Sequence, residues 1–348
     1  MMFKRLLFAL LFAVVAHQAS IANAQQLDDE NRGERPLEAI KQAIANAIPL
    51  LEKGSAGSAE NRTCFTCHSQ ALPVFALTEA KKRGFKIDEE NLQRQLTHTY
   101  ENLKRAQKDY LEGRGQGGKA DMAGYALWTL DAGDWKPDEV TAAVTEFLLK
   151  YQADEDYWKH TSNRPPSEAS DFTTTYVALV GLGAYGTDEQ QERISQKSEK
   201  LRKWLLASKP ADTEDRVFRL KLLKYIGAEE EEEVREAAID LIKEQREDGG
   251  WAQKSDMDSD AYATGSVLVA LNESGNLTGD DPVFQRGVSY LMKTQLDDGS
   301  WHVVSRSKPF QKYFETGFPH GTDQFISTAA SGWAVWALLT SLPESAIE

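Results

Sequence analysis

Cysteine is almost missing from this chain: 348 residues hold two thiols, both inside Cys64-Phe65-Thr66-Cys67-His68. Two thiols close at most one bridge, so a disulfide-dense scaffold is excluded. A four-ligand zinc site would need a second Cys/His pair at matching spacing, and the sequence has none. Long apolar runs are missing as well. Past the N-terminal segment, no stretch reaches the roughly 18 uncharged apolar residues that a membrane span requires. Basic excess is also absent. Lys and Arg number 40 against 54 Asp and Glu, and the formal charge of -14 argues against nucleic acid or an anionic membrane surface as a main partner. No alternating strand pattern of any length occurs, which leaves helices as the building material.

What is present starts with that cysteine pair. C-x-x-C-H is the attachment pattern of a c-type haem. Two thiols three positions apart can each form a thioether to one haem vinyl group, and His68 then lies beneath the iron as its proximal ligand. The competing readings of Cys64 and Cys67 are a redox-active or structural disulfide, or half of a zinc site. The N-terminus favours haem. Lys4 and Arg5 precede an apolar run from Leu6 to Ala16, and Ala22-Asn23-Ala24 has the small-x-small form of a cleavage site. That is the pattern of a secretory signal peptide. The chain is therefore expected to divide into a signal peptide at 1–24 and a single domain at 25–348, with the haem motif at 64–68. It should be periplasmic or secreted, with no integral membrane segment after cleavage. Haem is attached in that compartment, and a thiol pair there is otherwise oxidised.

A repeat runs through the second half. Gln245-Arg246-Glu247-Asp248-Gly249-Gly250-Trp251 returns as Gln295-Leu296-Asp297-Asp298-Gly299-Ser300-Trp301, and a worn copy from Gln152 to Trp158 lacks the glycines. After each copy comes a loop and then an Asp (171, 260 or 323) suited to cap a helix rich in small apolar residues. Such helices are buried on most sides, whereas the intervening ones carry charge on one face and should lie outside. Six outer–inner pairs follow. The outer helices fall near 36–53, 88–112, 137–151, 192–207, 230–245 and 281–295. The inner ones fall near 69–84, 121–133, 171–185, 213–227, 260–274 and 323–341, with Gly84, Gly133, Gly186 and Gly227 closing four of them. The Glu229 to Glu233 run reads as the start of a helix rather than as a binding patch. An all-α fold is expected, an (α/α)6 toroid of six helical hairpins, with an open solenoid as the lesser option.

Q-x-x-D-G-[GS]-W resembles the QW motif of squalene–hopene cyclases and related terpenoid cyclases, whose toroid is shared with protein prenyltransferase β subunits. Gln245, Trp251, Gln295 and Trp301 match it in full, Gln152 and Trp158 in part. The resemblance implies that these Gln and Trp side chains tie outer helices to the next turn. The chain also looks like secreted cyclase-like proteins that carry C-x-x-C-H ahead of the toroid. The catalytic acids implied by the family do not match. Asp256-Met257-Asp258-Ser259-Asp260 is the nearest approach to D-x-D-D, but Ala261 stands where the second adjacent Asp belongs, and Asp260 is expected to be a helix cap. Asp280-Asp281 lacks the third acid of a magnesium site, and both cysteines are committed elsewhere than to a prenyltransferase zinc. No catalytic residue is therefore named, and enzymatic activity is left undecided. Gly113 to Lys119 imitates a P-loop, yet Ala120 replaces its Ser/Thr and no strand precedes it, so a flexible loop is expected.

A closed ring of six pairs sets the loops before inner helices two and six beside the motif. Those loops hold Met122 and His320, the two candidates for the distal iron ligand, with Met257, His302 and His160 behind them; His98, on an outer helix, looks misplaced. Trp301, Phe310, Tyr313, Phe314 and Phe318 could pack on a porphyrin or form ordinary core. Two functions follow, beside a third in which the motif is a disulfide and the chain a haem-free binding module. One is a c-type haem protein with one covalent haem, serving electron transfer or redox sensing with a periplasmic redox partner. The other is a cyclase-like enzyme or binding protein for an isoprenoid or other apolar small molecule in the toroid cavity.

Overall fold

The computed structural model describes residues 37–227, 231–308 and 312–343. The expected signal peptide at 1–24, Phe310 and the first two glutamates of the 229–233 run lie outside them. The chain divides into two compact units, Met1–Ala43 and Ile44–Glu348. Of the first unit the described residues are 37–43, the opening turns of a helix.

Helix α1 runs over 37–61. A short π-helix, Cys67–Ala71, leads into α2 (Leu72–Lys82). There follow α3 (Glu89–Arg105), α4 (Gln107–Leu111), α5 (Lys119–Ala132), α6 (Glu139–Lys150) and α7 (Asp171–Tyr185). The chain then continues through α8 (Gln191–Ala207), α9 (Thr213–Tyr225), α10 (Glu231–Lys243), α11 (Ala261–Glu273), α12 (Pro282–Thr294) and α13 (Gln324–Thr340). Two isolated bridge pairs apart, the described residues contain no β structure. The six expected pairs are all present, with the second outer element split into α3 and α4, and the fold is an (α/α)6 toroid.

Composition decides which helices go inside. Every residue of α11 from Ala261 to Leu271 is buried, and α7 is buried almost throughout. Such helices have no solvent face and must be enclosed by others. Their small residues permit close approach: a Cβ on Gly124 of α5 would lie 2.6 Å from the Val177 backbone of α7, and one on Gly265 of α11 would lie 2.7 Å from the Trp333 backbone of α13. The inner helices touch in the order α2, α5, α7, α9, α11, α13, and α13 returns to α2, where a Cβ on Gly332 would lie 3.0 Å from the Leu72 carbonyl. The ring is closed, not an open solenoid.

The repeats are the ties between layers. Trp158, Trp251 and Trp301 are fully buried. Each donates its indole N–H to a carbonyl ten residues back on the outer helix: Leu148 at 3.0 Å, Leu241 at 2.7 Å and Leu291 at 2.9 Å. Gln245 spans both its own turn and the next outer helix, donating to the carbonyls of Gly249 (2.9 Å) and Val283 (2.8 Å). The caps differ in part from expectation. Asp260 caps α11 through the Ala263 N–H, but Ser170, not Asp171, caps α7. Asp323 accepts from the Ser305 N–H and His302 instead of from its own helix. Gly84 (φ 76°) and Gly227 (φ 59°) end their helices in the left-handed region, while Gly133 and Gly186 do not.

Candidate functional site

The N-terminal ends of the inner helices open on one side of the ring, and the cysteine motif lies there. Its loop is held from several directions. Gln70 Oε1 accepts from the Thr66 N–H (2.7 Å) and hydroxyl (2.6 Å), and the Gln70 and Ala71 N–H groups both return to the Thr66 carbonyl. This shared acceptor makes the turn a π-helix, a form concentrated at functional sites. Phe65 is buried beneath it. From outer helix α3, Arg105 donates to the Thr63 carbonyl and His98 contacts the Cys64 carbonyl at 3.3 Å. On the other flank Asn61 and Arg62 donate to the carbonyls of Glu315 and Lys312.

The motif forms one wall of a cavity of about 790 Å³. Cys64, Cys67, His68 and Met122 all line it, as do Asp121 and Tyr125. Met122 is positioned by Asn102, whose amide points at its sulfur at 3.7 Å. His68 also faces a second cavity of about 330 Å³ that runs toward Phe325 and Lys312. Its ring meets Phe325 edge-on at 5.3 Å. Desolvation, helped by the Arg164 charge, pushes its imidazole down to about 3. It is therefore neutral at any physiological pH and free to offer a nitrogen lone pair.

Cys67 is buried, and its thiol donates to Glu168 Oε1 at 3.0 Å. Burial first, and the Glu168 charge next, push that thiol well above its ordinary value. Glu168 comes from a loop that closes on itself through the Arg164 N–H to Glu168 carbonyl (3.2 Å) and Glu168 N–H to Arg164 carbonyl (3.1 Å) bonds. The Arg164 guanidinium pairs with the other carboxylate oxygen. Glu168 is a residue that sequence reasoning missed: it stands 101 positions from Cys67, with no spacing rule to link them.

The structure separates the two distal candidates. Met122 shares the cavity with Cys64, Cys67 and His68. His320 does not line it, because its backbone at φ 83° turns the ring toward Ser300 (3.1 Å) and His302 (ring centroids 4.5 Å apart). His302 sits on Asp323, His160 on Asp171 at 2.6 Å, and Met257 lies outside both cavities. Trp301 and Phe318 are fully buried core, and Phe314 lies under the Arg62 guanidinium. Tyr313 lines the smaller cavity.

Two further features went unread in the sequence. Asp212-Thr213-Glu214-Asp215 opens inner helix α9 with an acid-x-acid-acid pattern. Glu214 is buried, and its Oε1 accepts from Thr173 (2.9 Å) and Tyr262 (3.4 Å), while Oε2 has no partner. Desolvation pushes its carboxyl up to about 8, so it holds a proton at neutral pH. A search for Asp at that position passes over it. Asp260, by contrast, is the expected cap, and Asp256 and Asp258 are exposed. The second feature fills the ring. The Lys221 ammonium lies 5.6, 5.2 and 5.5 Å from the ring centres of Trp128, Tyr176 and Trp336 and pairs with Glu273. Phe75 packs on Trp128 with ring centroids 4.1 Å apart and the planes tilted by 35°. Each of the six inner helices thus contributes one residue, and only the axis of the toroid is within reach of all six. Glu214 lines neither mouth cavity.

Residues 178–346 match the squalene-hopene cyclase C-terminal domain family. A squalene–hopene cyclase of Bradyrhizobium diazoefficiens is 32% identical over 123 residues, which is 30% of this chain and 16% of that cyclase. The chain thus matches less than a fifth of that relative's length. Among solved structures, the type II terpene cyclase MstE from Scytonema superposes with a TM-score of 0.55 at 14% identity, covering 87% of this chain and 98% of that one. A variant of it in complex with geranylgeranyl dihydroxybenzoate gives 0.57 at 13%, over 88% and 99%. The ent-copalyl diphosphate synthase of Streptomyces platensis gives 0.51 at 17%, over 78% and 50%. The chain is a terpenoid-cyclase-like toroid. Within that class its sequence similarity runs to the C-terminal domain of squalene–hopene cyclases. These similarities bear on the fold and do not bear on haem.

Proposed function

We propose that the mouth cavity is a cofactor site for a single haem, which Cys64 and Cys67 would hold covalently and His68 and Met122 would hold through its iron. One observation carries this reading: two thiols, a neutral imidazole and a thioether line one cavity of about 790 Å³. That donor set fits the group, and the volume lies within the roughly 300–1,000 Å³ of ligand pockets. When bound, such a haem would supply one-electron chemistry, and the partner would be another redox protein of the same compartment. The chain's own residues prepare the place. Gln70 fixes the motif turn, Phe65 fills the space beneath it, and Asn102 aims the Met122 sulfur.

A second reading is supported by the similarities above and by Glu214: an apolar, isoprenoid-type ligand. Three of the similar structures hold geranylgeranyl dihydroxybenzoate or merosterolic acid A. Glu214 is a neutral acid of the kind that alkene protonation requires, although it is buried and lines neither mouth cavity. One preparation separates the readings. The chain is made in a periplasm competent for haem attachment, extracted with acidified organic solvent, and both phases are analysed. A reduced c-type spectrum that stays with the polypeptide, and is lost in Cys64→Ala/Cys67→Ala, is expected. Met122→Ala should keep the covalent band and convert the iron to a form that binds added imidazole. A polypeptide without haem and an extract containing an isoprenoid lipid would overturn the first reading in favour of the second.

A further inference from the structure

We propose that Cys67, His68 and Glu168 form a three-donor site for one divalent transition-metal ion of zinc-like preference in the chain that carries no haem. The inference does not rest on the haem reading. Cys67 Sγ lies 3.0 Å from Glu168 Oε1 and 3.8 Å from His68 Nδ1, and the three donor atoms lie within 4.8 Å of one another. Ligands bound at about 2.0–2.3 Å around a tetrahedral ion stand roughly 3.3–3.8 Å apart, so the trio needs only a small adjustment to close on one. Thiolate, imidazole and carboxylate together suit zinc or cobalt and disfavour magnesium and calcium, which take oxygen alone.

The surroundings are those of a prepared site. Arg164 takes Oε2 of Glu168 and leaves Oε1 turned to the thiol, which fixes the carboxylate as outer-sphere partners do in metal sites. Cys67 and Glu168 are buried, and a buried carboxylate is held more readily with a counter-charge on each oxygen. All three residues line the larger cavity, so a fourth position opens into it. Three protein donors with an open fourth place is the arrangement of a catalytic rather than a structural zinc. The missing second Cys/His pair, which argued against a metal in the sequence, is replaced by one carboxylate from the 162–168 loop. Cys67 cannot be both thioether and metal ligand, so the two occupants exclude each other. They also differ in need: haem requires Cys64, and the metal does not.

The test uses the full chain made in a cytoplasm without haem attachment, stripped of metal, kept under a phosphine reductant and titrated with cobalt(II) and then zinc(II). One equivalent of cobalt should give a thiolate charge-transfer band and the visible bands of a tetrahedral ion, and zinc should remove both. Cys64→Ser should titrate like the parent chain. Cys67→Ser and His68→Ala should lose the charge-transfer band, and Glu168→Gln should weaken binding by about tenfold or more. Circular dichroism confirms that each variant is folded, and Ser167→Ala serves as a neighbouring control. Absence of a cobalt spectrum in the folded parent chain overturns the site. So does a spectrum that survives Cys67→Ser or disappears in Cys64→Ser, the latter marking the cysteine pair as the ligand set. None of these outcomes depends on whether haem attaches in the periplasmic preparation.

Discussion

Glu214 shows how much one buried side chain can decide. Its folded carboxyl is raised to about 8 from an ordinary value of 4.5, with burial as the first cause. A group raised in this way stabilises the fold fully below its unfolded value, and that contribution is lost as pH rises through the folded value. The window is therefore about pH 4.5 to 8. Every tenfold gain in proton affinity on folding corresponds to about 1.4 kcal/mol, so a loss on the order of a few kcal/mol is expected between pH 5 and pH 8. Glu214→Gln keeps an acceptor for Thr173 and Tyr262 and removes the titration. Urea unfolding at the two pH values should show a smaller loss for the variant than for the parent chain, and equal losses would refute the assignment. The same residue marks the limit of motif reading. A pattern search that demands Asp passes over Asp212-Thr213-Glu214-Asp215, because burial rather than residue type makes the acid.

At the scale of elements, the repeat explains its own glycines. Gly249 and Gly299 hold φ near 90° at the same place in each copy. A Cβ on Gly249 would lie 2.6 Å from the Arg286 carbonyl of α12, and one on Gly299 would lie 2.5 Å from the Asn46 carbonyl of α1. Each turn thus presses on the next outer helix, and the last turn presses on the first. Gly299→Ala combines a strained φ with a backbone clash and should destabilise ring closure by about 2 kcal/mol or more. Gly113→Ala, also at positive φ but with open space around it, should cost about 1 kcal/mol. Thermal unfolding of the pair checks the difference. The worn copy needs no such glycine, since Lys197 of α8 reaches in to donate to the Gln152 (3.1 Å) and Glu155 (2.7 Å) carbonyls over the Trp158 face.

For the whole molecule, the question is what a six-fold ring does with its axis. Here the axis is filled: Phe75, Trp128, Tyr176, Lys221, Glu273 and Trp336 meet there, one from each inner helix. An aromatic cage that could face a cation already contains the chain's own ammonium. Tyr125 lines the mouth cavity one turn above Trp128. Lys221 is buried, while Glu273 is partly exposed. Removing the buried partner and removing the partly exposed one differ in consequence, because only the buried charge is left without solvent. Lys221→Met should be neutral or stabilising in urea unfolding, while Glu273→Gln strands the ammonium and should lower the midpoint by the equivalent of about 1 kcal/mol or more. No helix among the described residues is long and apolar enough to cross a membrane.

Much of this was legible one residue at a time. The alternation of charged and wholly apolar helices announced six hairpins, because a helix without a polar face has to be enclosed. The spacing of Gln and Trp announced the ties, since an indole ten residues past its acceptor closes a local turn. Cys64, Cys67 and His68 stood out because C-x-x-C-H is itself a local pattern. Tertiary structure alone decided the rest. Met122 rather than His320 faces the motif, because a single left-handed residue turns the His320 loop toward Ser300. Glu168 meets Cys67 across 101 positions, and six helices send one side chain each to a common axis. Local periodicity determines which face of a helix is buried, but only the closed ring brings particular side chains from distant helices within bonding distance.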